Sequence, residues 1–473
     1  MILSNERRWL ALYVLCAGEL MIVLDTTIVN VALPSIREAL AFTETSLVWV
    51  VNAYMVTYGG FLLLGGRLGD LFGQRRLFLL GIALFTLASL VCGLSSSQGV
   101  LVAARAVQGL GGAVVSAIAL SLMINLFSEP ADRAKAMGIY GFVCAGGGSI
   151  GVLLGGLLTS ALSWHWIFLV NLPIGAAVYA FCRLLLPESR GQGAGGRLDV
   201  AGAVTVTASS MLAVYAIVYG NMGLLAAAAV LFALFIGIEA RVRNPLMPLR
   251  LFRLRNLATI NVVGVLWTAA MFAWFFISAL YMQLVLGYSA MQVGLAFLPA
   301  NLIMAAFSLG ISAKMVMRYG IRMPLVAGLA LTAAGLALFA LSPVDGGFAL
   351  HVLPGMTLLG IGCGMAMNPV LLAAMSDVEQ SESGLASGVV NTSFMLGGAL
   401  GLAVLASLAA ARTESLLAAG AGTPVALTGG YHLAFAVGAV FAAAAALLGA
   451  VLLRAGRQAS SMQGNEAAYP AKP

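Results

Sequence analysis

Leu24-Asp25-Thr26-Thr27-Ile28-Val29-Asn30-Val31-Ala32-Leu33-Pro34 closes an apolar run that begins near Trp9. The run is long enough to cross a bilayer, for which about 20 apolar residues suffice. Asp25 lies well inside it, and Glu19 lies six residues earlier. A carboxylate at membrane depth costs roughly 2.5–3.5 kcal/mol on insertion scales, so it is held neutral, paired with a cation or set against water. Each arrangement points to proton or ion traffic, and the reading of the chain turns on what surrounds Asp25.

Outward from this stretch, the composition is that of a membrane protein. The 473 residues are 61% hydrophobic and only 9% charged, against about 45–50% and 25% in soluble domains. The net charge of +7 comes from basic residues scattered singly between apolar runs, which excludes a nucleic-acid-binding surface. Cys16, Cys92, Cys144, Cys182 and Cys363 all fall within apolar runs and lack metal-ligand spacing, so neither a disulfide nor a metal is expected. Arg7 and Arg8 precede a run too long and too acidic for a cleaved signal, so it reads as a retained helix.

Apolar runs recur at about 9–31, 47–66, 77–95, 99–126, 136–161, 166–186, 199–220, 222–240, 257–286, 291–312, 323–342, 349–373, 384–410 and 431–454. They predict fourteen transmembrane helices. The basic residues test that count. Of the 24 Lys and Arg, all but Arg37, Arg105 and Arg412 fall on one side when the helices alternate. The positive-inside rule then places both termini in the cytoplasm. The glycine-rich, charged segment Pro187 to Arg197 reads as a linker, and the polar tail as disordered. Arg67, Gly73 and Arg75 recur as Lys314, Gly320 and Arg322, shifted by 247 residues. The expected organisation is therefore a six-helix bundle at 1–190, a linker and two inserted helices at 191–245, a second six-helix bundle at 246–455 and a cytoplasmic tail at 456–473. Parallel repeats with a binding site between them at the midplane are a transporter plan.

Several stretches carry a resemblance. The opening stretch, Gly65 to Arg76 after the second run, Arg105-Ala106-Val107-Gln108-Gly109 in the fourth and the glycines of the fifth resemble motifs of the major facilitator superfamily. They are most similar to its fourteen-helix drug:proton antiporter branch, along nearly the whole chain. Trp164 to Gly175 and Gly287-Tyr288-Ser289 are smaller matches. The resemblance implies an all-α polytopic fold of two bundles plus two inserted helices. It also implies export of drug-like molecules against protons.

The candidate site residues follow. At 1.5 Å per residue, Asp25 and Arg105 reach the same membrane level within about one helical turn, so they can pair. The family links this acid and this Arg to proton coupling. Glu19, near the midplane, is a second candidate for protons or for a cationic substrate. Gly66, Asp70, Gly73, Arg75 and Arg76 form the expected conformational latch at the cytoplasmic end of the second helix. Gly138, Gly147, Gly151, Gly155 and Gly156 match the antiporter motif, in which Val152 stands where the family has proline. Asn30, Gln108, Trp274, Tyr281, Gln283 and Asn391, with Glu19, are candidates for the substrate cavity. His165 replaces another family Arg and could add pH sensitivity, although an interfacial histidine is the plainer reading.

With no Walker motif and no cofactor fingerprint, an ion gradient must supply the energy. The expectation is a proton-coupled exporter, not an enzyme, in the bacterial cytoplasmic membrane. It would be a monomer working on a small molecule and protons among lipids, with no cofactor and no nucleic acid. An exporter dedicated to one endogenous metabolite, such as an antibiotic or siderophore, is the alternative. A non-transporting receptor on the same scaffold is the remaining one.

Overall fold

The computed structural model describes residues 5–127, 129–186, 199–379 and 382–453. The expected linker at 187–197, the boundary at 190/191 and the tail at 456–473 lie outside them.

The first half comprises α1 (Asn5–Leu40), α2 (Glu44–Phe72), α3 (Gln74–Gly93), α4 (Gln98–Leu126), α5 (Pro130–Ala161), the one-turn α6 (Trp166–Leu169) and α7 (Asn171–Leu185). A hairpin of α8 (Val200–Val218) and α9 (Met222–Glu239) follows. The second half comprises α10 (Arg255–Leu280), α11 (Ala290–Ala306), α12 (Ser312–Tyr319), α13 (Arg322–Phe339), α14 (Leu353–Met375), α15 (Ser383–Ala418) and α16 (Thr423–Leu452). Among the described residues, thirteen helices are long and apolar enough to span a membrane, and Ala290–Ala306 is a shorter apolar helix. Together these match the expected fourteen.

Polar caps set where helices begin. Thr43 and Ser46 form a capping box on α2, and Ser289 and Gln292 form one on α11. Ser97 caps α4 and Asn221 caps α9. Each cap satisfies amide groups that the first turn leaves without partners.

Several elements depart from the sequence reading: α15 runs past residue 410 to Ala418, and α16 starts at Thr423, before the expected 431. The first helix continues past residue 31 to Leu40, with Pro34 inside it. Its polar last turn is held by an Arg37–Glu44 ion pair at 3.6 Å and ends where Ala41 turns to positive φ. The run expected at 291–312 is broken. A π-helical turn at Phe307–Ile311, with Gly310 out of helical geometry, separates α11 from α12.

The halves pack alike. α4 lies against α2 and α3, as α14 lies against α11 and α13; α1 lies on α5 as α10 lies on α15. The halves meet along two seams, α2 with α15 and α5 with α11. α8 covers the first seam by touching both α2 and α15, while α9 packs on α8.

The outer ends are closed. Gln283 Nε2 donates to Val31 O at 2.9 Å, Met291 N to Ser160 Oγ at 3.0 Å, and Asn52 Nδ2 to Ala399 O at 2.9 Å. A Cβ on Gly156 would lie 2.7 Å from Ala290 O, so α5 and α11 touch backbone to backbone there. On the cytoplasmic half of α5, a Cβ on Gly138 or Gly141 would meet nothing within 4 Å.

Candidate functional site: a buried ion pair

Asp25 on α1 and Arg105 on α4 are both fully buried. Arg105 Nη1 donates to Asp25 Oδ2 in a close ion pair. The depths inferred from helix geometry therefore bring the two together. Arg105 Nη1 also donates to Gln108 Oε1 at 2.7 Å, and Nε donates to Val50 O at 2.9 Å. The guanidinium lies 4.5 Å from the Tyr54 ring and 5.6 Å from the Phe168 ring, where aromatic faces stabilise a cation.

The other carboxylate oxygen is held separately. Asp25 Oδ1 accepts from Gln108 Nε2 at 2.7 Å and from Asn171 Nδ2 at 3.1 Å. Both amides also reach Ser89 Oγ on α3, at 2.8 and 3.4 Å. One acid thus ties α1 to α3, α4 and α7. The Arg side chain brings in α2 and α6. Asn171 and Ser89 were not among the sequence candidates. Asn171 lies inside a quoted motif, but no charge or spacing singles out Ser89 within its apolar run.

Glu19 lies about 9 Å nearer the cytoplasm along α1 and is 5% exposed. Among the described residues it makes no hydrogen bond to the Arg105 cluster. Its Oε1 accepts from Ser116 Oγ on α4 at 3.1 Å, and Tyr140 on α5 is its other polar neighbour.

The remaining candidates divide. Gln108 joins the ion pair. Trp274 is buried against Phe275 and Phe297, with centroids 4.4 and 5.9 Å away. Tyr281 donates to Pro343 O at 2.7 Å, within the second half. Gln283 lines an open outer recess of about 730 Å³ with Arg37, Glu38, Thr159 and Tyr288. Asn30 and Asn391 donate to carbonyls of their own helices.

Gly147, Gly151 and Gly155 form one stripe against α1: added Cβ atoms would fall 2.9 Å from Val23, 2.1 Å from Thr27 and 2.6 Å from Ile28. Gly156 faces α11 instead, and α5 runs unbroken through Val152. At the cytoplasmic end of α2, Gly73 adopts φ 96, which favours glycine. Arg75 Nη2 donates to Arg183 O at 2.5 Å, bridging to α7. Gly66 faces Ala117 on α4, and the Arg76 side chain is exposed. The side chain of Asp70 lies outside the described groups. His165, between α5 and α6, stacks on Trp164, and burial lowers its pKa from the usual histidine value.

The Major Facilitator Superfamily model matches residues 15–402. The chain belongs to that superfamily. Its relatives in the superfamily include the puromycin resistance protein pur8 of Streptomyces alboniger, 38% identical over 99% of this chain and 96% of that one. The cephamycin export protein CmcT of Amycolatopsis lactamdurans is 38% identical over 93% and 92%. Among solved structures, an auto-inhibited POT-family peptide transporter superposes with a TM-score of 0.68 at 16% identity, covering 98% of both chains. That likeness concerns the fold. This member of the Major Facilitator Superfamily is a multi-pass transporter of the bacterial inner membrane.

Proposed function

We propose that the protein is a proton-coupled antiporter that exports drug-like or amphipathic small molecules by alternating access. Residues 1–190 and 246–455 would be the rocking units, with 191–245 between them. The observation that carries this reading is Asp25, a fully buried carboxylate whose two oxygens are held by different partners. A proton on Oδ2 removes the charge that binds Arg105, while Gln108 and Asn171 keep Oδ1 in place. Arg105 retains Val50 O, Gln108 Oε1 and the Tyr54 face. Protonation therefore loosens α4 from α1 without leaving the guanidinium bare. Loss of the proton restores the clamp. The glycine stripe between α1 and α5 allows the close packing and sliding that such a change requires. A stage at which the halves are sealed outside and loose inside would take substrate from the cytoplasm.

The experiment is transport in proteoliposomes with an imposed pH gradient. Asp25→Asn keeps the side-chain shape and an oxygen acceptor. It is expected to fold and to lose gradient-driven accumulation by more than about tenfold, equivalent to 1.4 kcal/mol. Undiminished accumulation in a folded variant overturns the assigned role of Asp25. The second reading, a dedicated exporter of one endogenous metabolite, draws on the resistance and export proteins of antibiotic names among the relatives. It gains if wild-type protein moves no drug of a varied panel.

A further inference from the structure

The α8–α9 hairpin has no counterpart in either bundle, yet it buries two acids. Asp199, just before α8, and Glu239, at the end of α9, are each 3% exposed. Each has one oxygen committed. Asp199 Oδ1 accepts from Gly202 N at 2.7 Å, capping α8, and Glu239 Oε2 accepts from Met247 N at 3.0 Å. Among the described residues, the other two oxygens, Asp199 Oδ2 and Glu239 Oε1, have no N–H or O–H donor. They converge on one point: a Cβ on Gly202 would lie 2.8 Å from the first and 2.7 Å from the second. The two carboxyl groups are hydrogen-bond neighbours.

Two carboxylate oxygens are both acceptors and make no hydrogen bond unless one carries a proton. Two like charges sharing a dry corner do not both ionise. We propose that Asp199 and Glu239 together bind one proton, a second protonation site at the cytoplasmic end of the hairpin and separate from Asp25.

The groups facing the pair come from three elements. From α2 comes Arg67, the cation whose charge reaches Glu239. It spends its donors on backbone, giving Nη1 to Asn244 O at 2.6 Å and Nη2 to Pro245 O. From the cap of α8 comes Asp199 itself. The α9–α10 connection gives the Met247 N–H. Neither acid forms an ion pair among the described residues. Leu64 of α2, Ala203 of α8 and Leu246 of the connection pack beneath as one apolar cluster. The pair therefore joins the hairpin to the segment that Arg67 grips at the cytoplasmic end of α2. Losing the proton sets two charges against each other there. It loosens the connection and frees the end of α2, so the hairpin reports cytoplasmic pH to the first bundle.

The test uses the full-length protein in lipid nanodiscs, titrated by infrared spectroscopy from about pH 5 to about pH 9, above the range in which an ordinary carboxyl keeps its proton. Wild type is expected to show a protonated-carboxyl stretch that fades as pH rises. Glu239→Gln and Asp199→Asn should lack it, and Asp25→Asn should retain it. A band unchanged in both hairpin variants overturns the proposal. Thermal melting is the second readout. A group that holds its proton more tightly when folded stabilises the fold at low pH, and that stability is lost as pH rises. Asp199→Asn preserves the α8 cap and supplies an N–H where the shared proton sat. Its melting temperature should therefore fall less than wild type between neutral and alkaline pH. Equal slopes overturn the proposal. So does a dependence of wild-type melting on sodium or potassium, relative to choline, in place of pH, because it would assign the corner to a metal cation. Neither readout requires transport, so the result stands apart from the export reading.

Discussion

In the first bundle α1 rests on Gly147, Gly151 and Gly155 of α5. In the second, α10 rests on Gly397 and Gly401 of α15, whose added Cβ atoms would fall 2.8 Å from Val265 and 2.0 Å from Ala269. The same small-residue contact recurs, but the neighbouring interiors differ. The first bundle buries Asp25, Arg105, Gln108, Asn171, Ser89 and Glu19. The second buries Trp267, Trp274, Phe275, Phe276, Phe297 and Tyr281, with no Asp, Glu, Lys, Arg or His among its described buried side chains. One helix-packing scheme accommodates either a charged network or an aromatic cluster. The scaffold contacts are separable from the chemistry they surround. The difference suits a division in which the first bundle handles charge and the second meets apolar surface.

The comparison can be broken most forcefully at Arg105. Arg105→Ala leaves Asp25 without its cation in a dry core, a change worth about 3–5 kcal/mol. A detergent melting curve matching wild type would show that the charged interior contributes no more than an apolar one. Next come the glycine stripes. Gly155→Ala and Gly401→Ala each push a methyl into a neighbouring helix, at about 1–3 kcal/mol by overpacking. Similar losses of melting temperature in the two would support equivalent scaffolds, whereas a loss confined to one would separate them. A smaller effect is expected at Trp274. Trp274→Phe keeps an aromatic ring and alters contacts of about 0.5–1.5 kcal/mol. Apparent affinity for a planar substrate should fall a few-fold in transport assays, with the pH profile unmoved. A shifted pH profile would couple the aromatic bundle to protons and undo the division. The smallest effect is at His165. Because burial lowers its pKa, the folded state binds fewer protons than the unfolded one, so its contribution to stability is lost as pH falls below about 6.5. His165→Gln should slightly flatten the acid side of the melting profile and leave the alkaline side unchanged.

Much of this was legible in the chain. Long apolar runs are imposed by the bilayer itself, so the helix count followed. Depth along two antiparallel helices brought Asp25 and Arg105 to one level. What escaped depends on rotation and turn geometry. Ser89 and Asn171 are single polar residues in apolar surroundings and look like ordinary helix–helix hydrogen bonds until α3 and α7 are set against α1. Asp199 and Glu239 sit at the ends of two apolar runs, where acids are normally solvated. The packing of α2, α8 and the α9–α10 connection around them sets their burial. The break at Phe307–Ile311 escaped because the run is uniformly apolar, and hydropathy does not register a change of hydrogen-bond register.

The outer closure has an energetic consequence. Its three cross-half hydrogen bonds, from Gln283, Met291 and Asn52, are each worth about 0.5–1.5 kcal/mol net. One elementary charge falling through 100 mV releases about 2.3 kcal/mol. The polar part of this closure is therefore comparable to the work available from a single charge crossing an energised membrane.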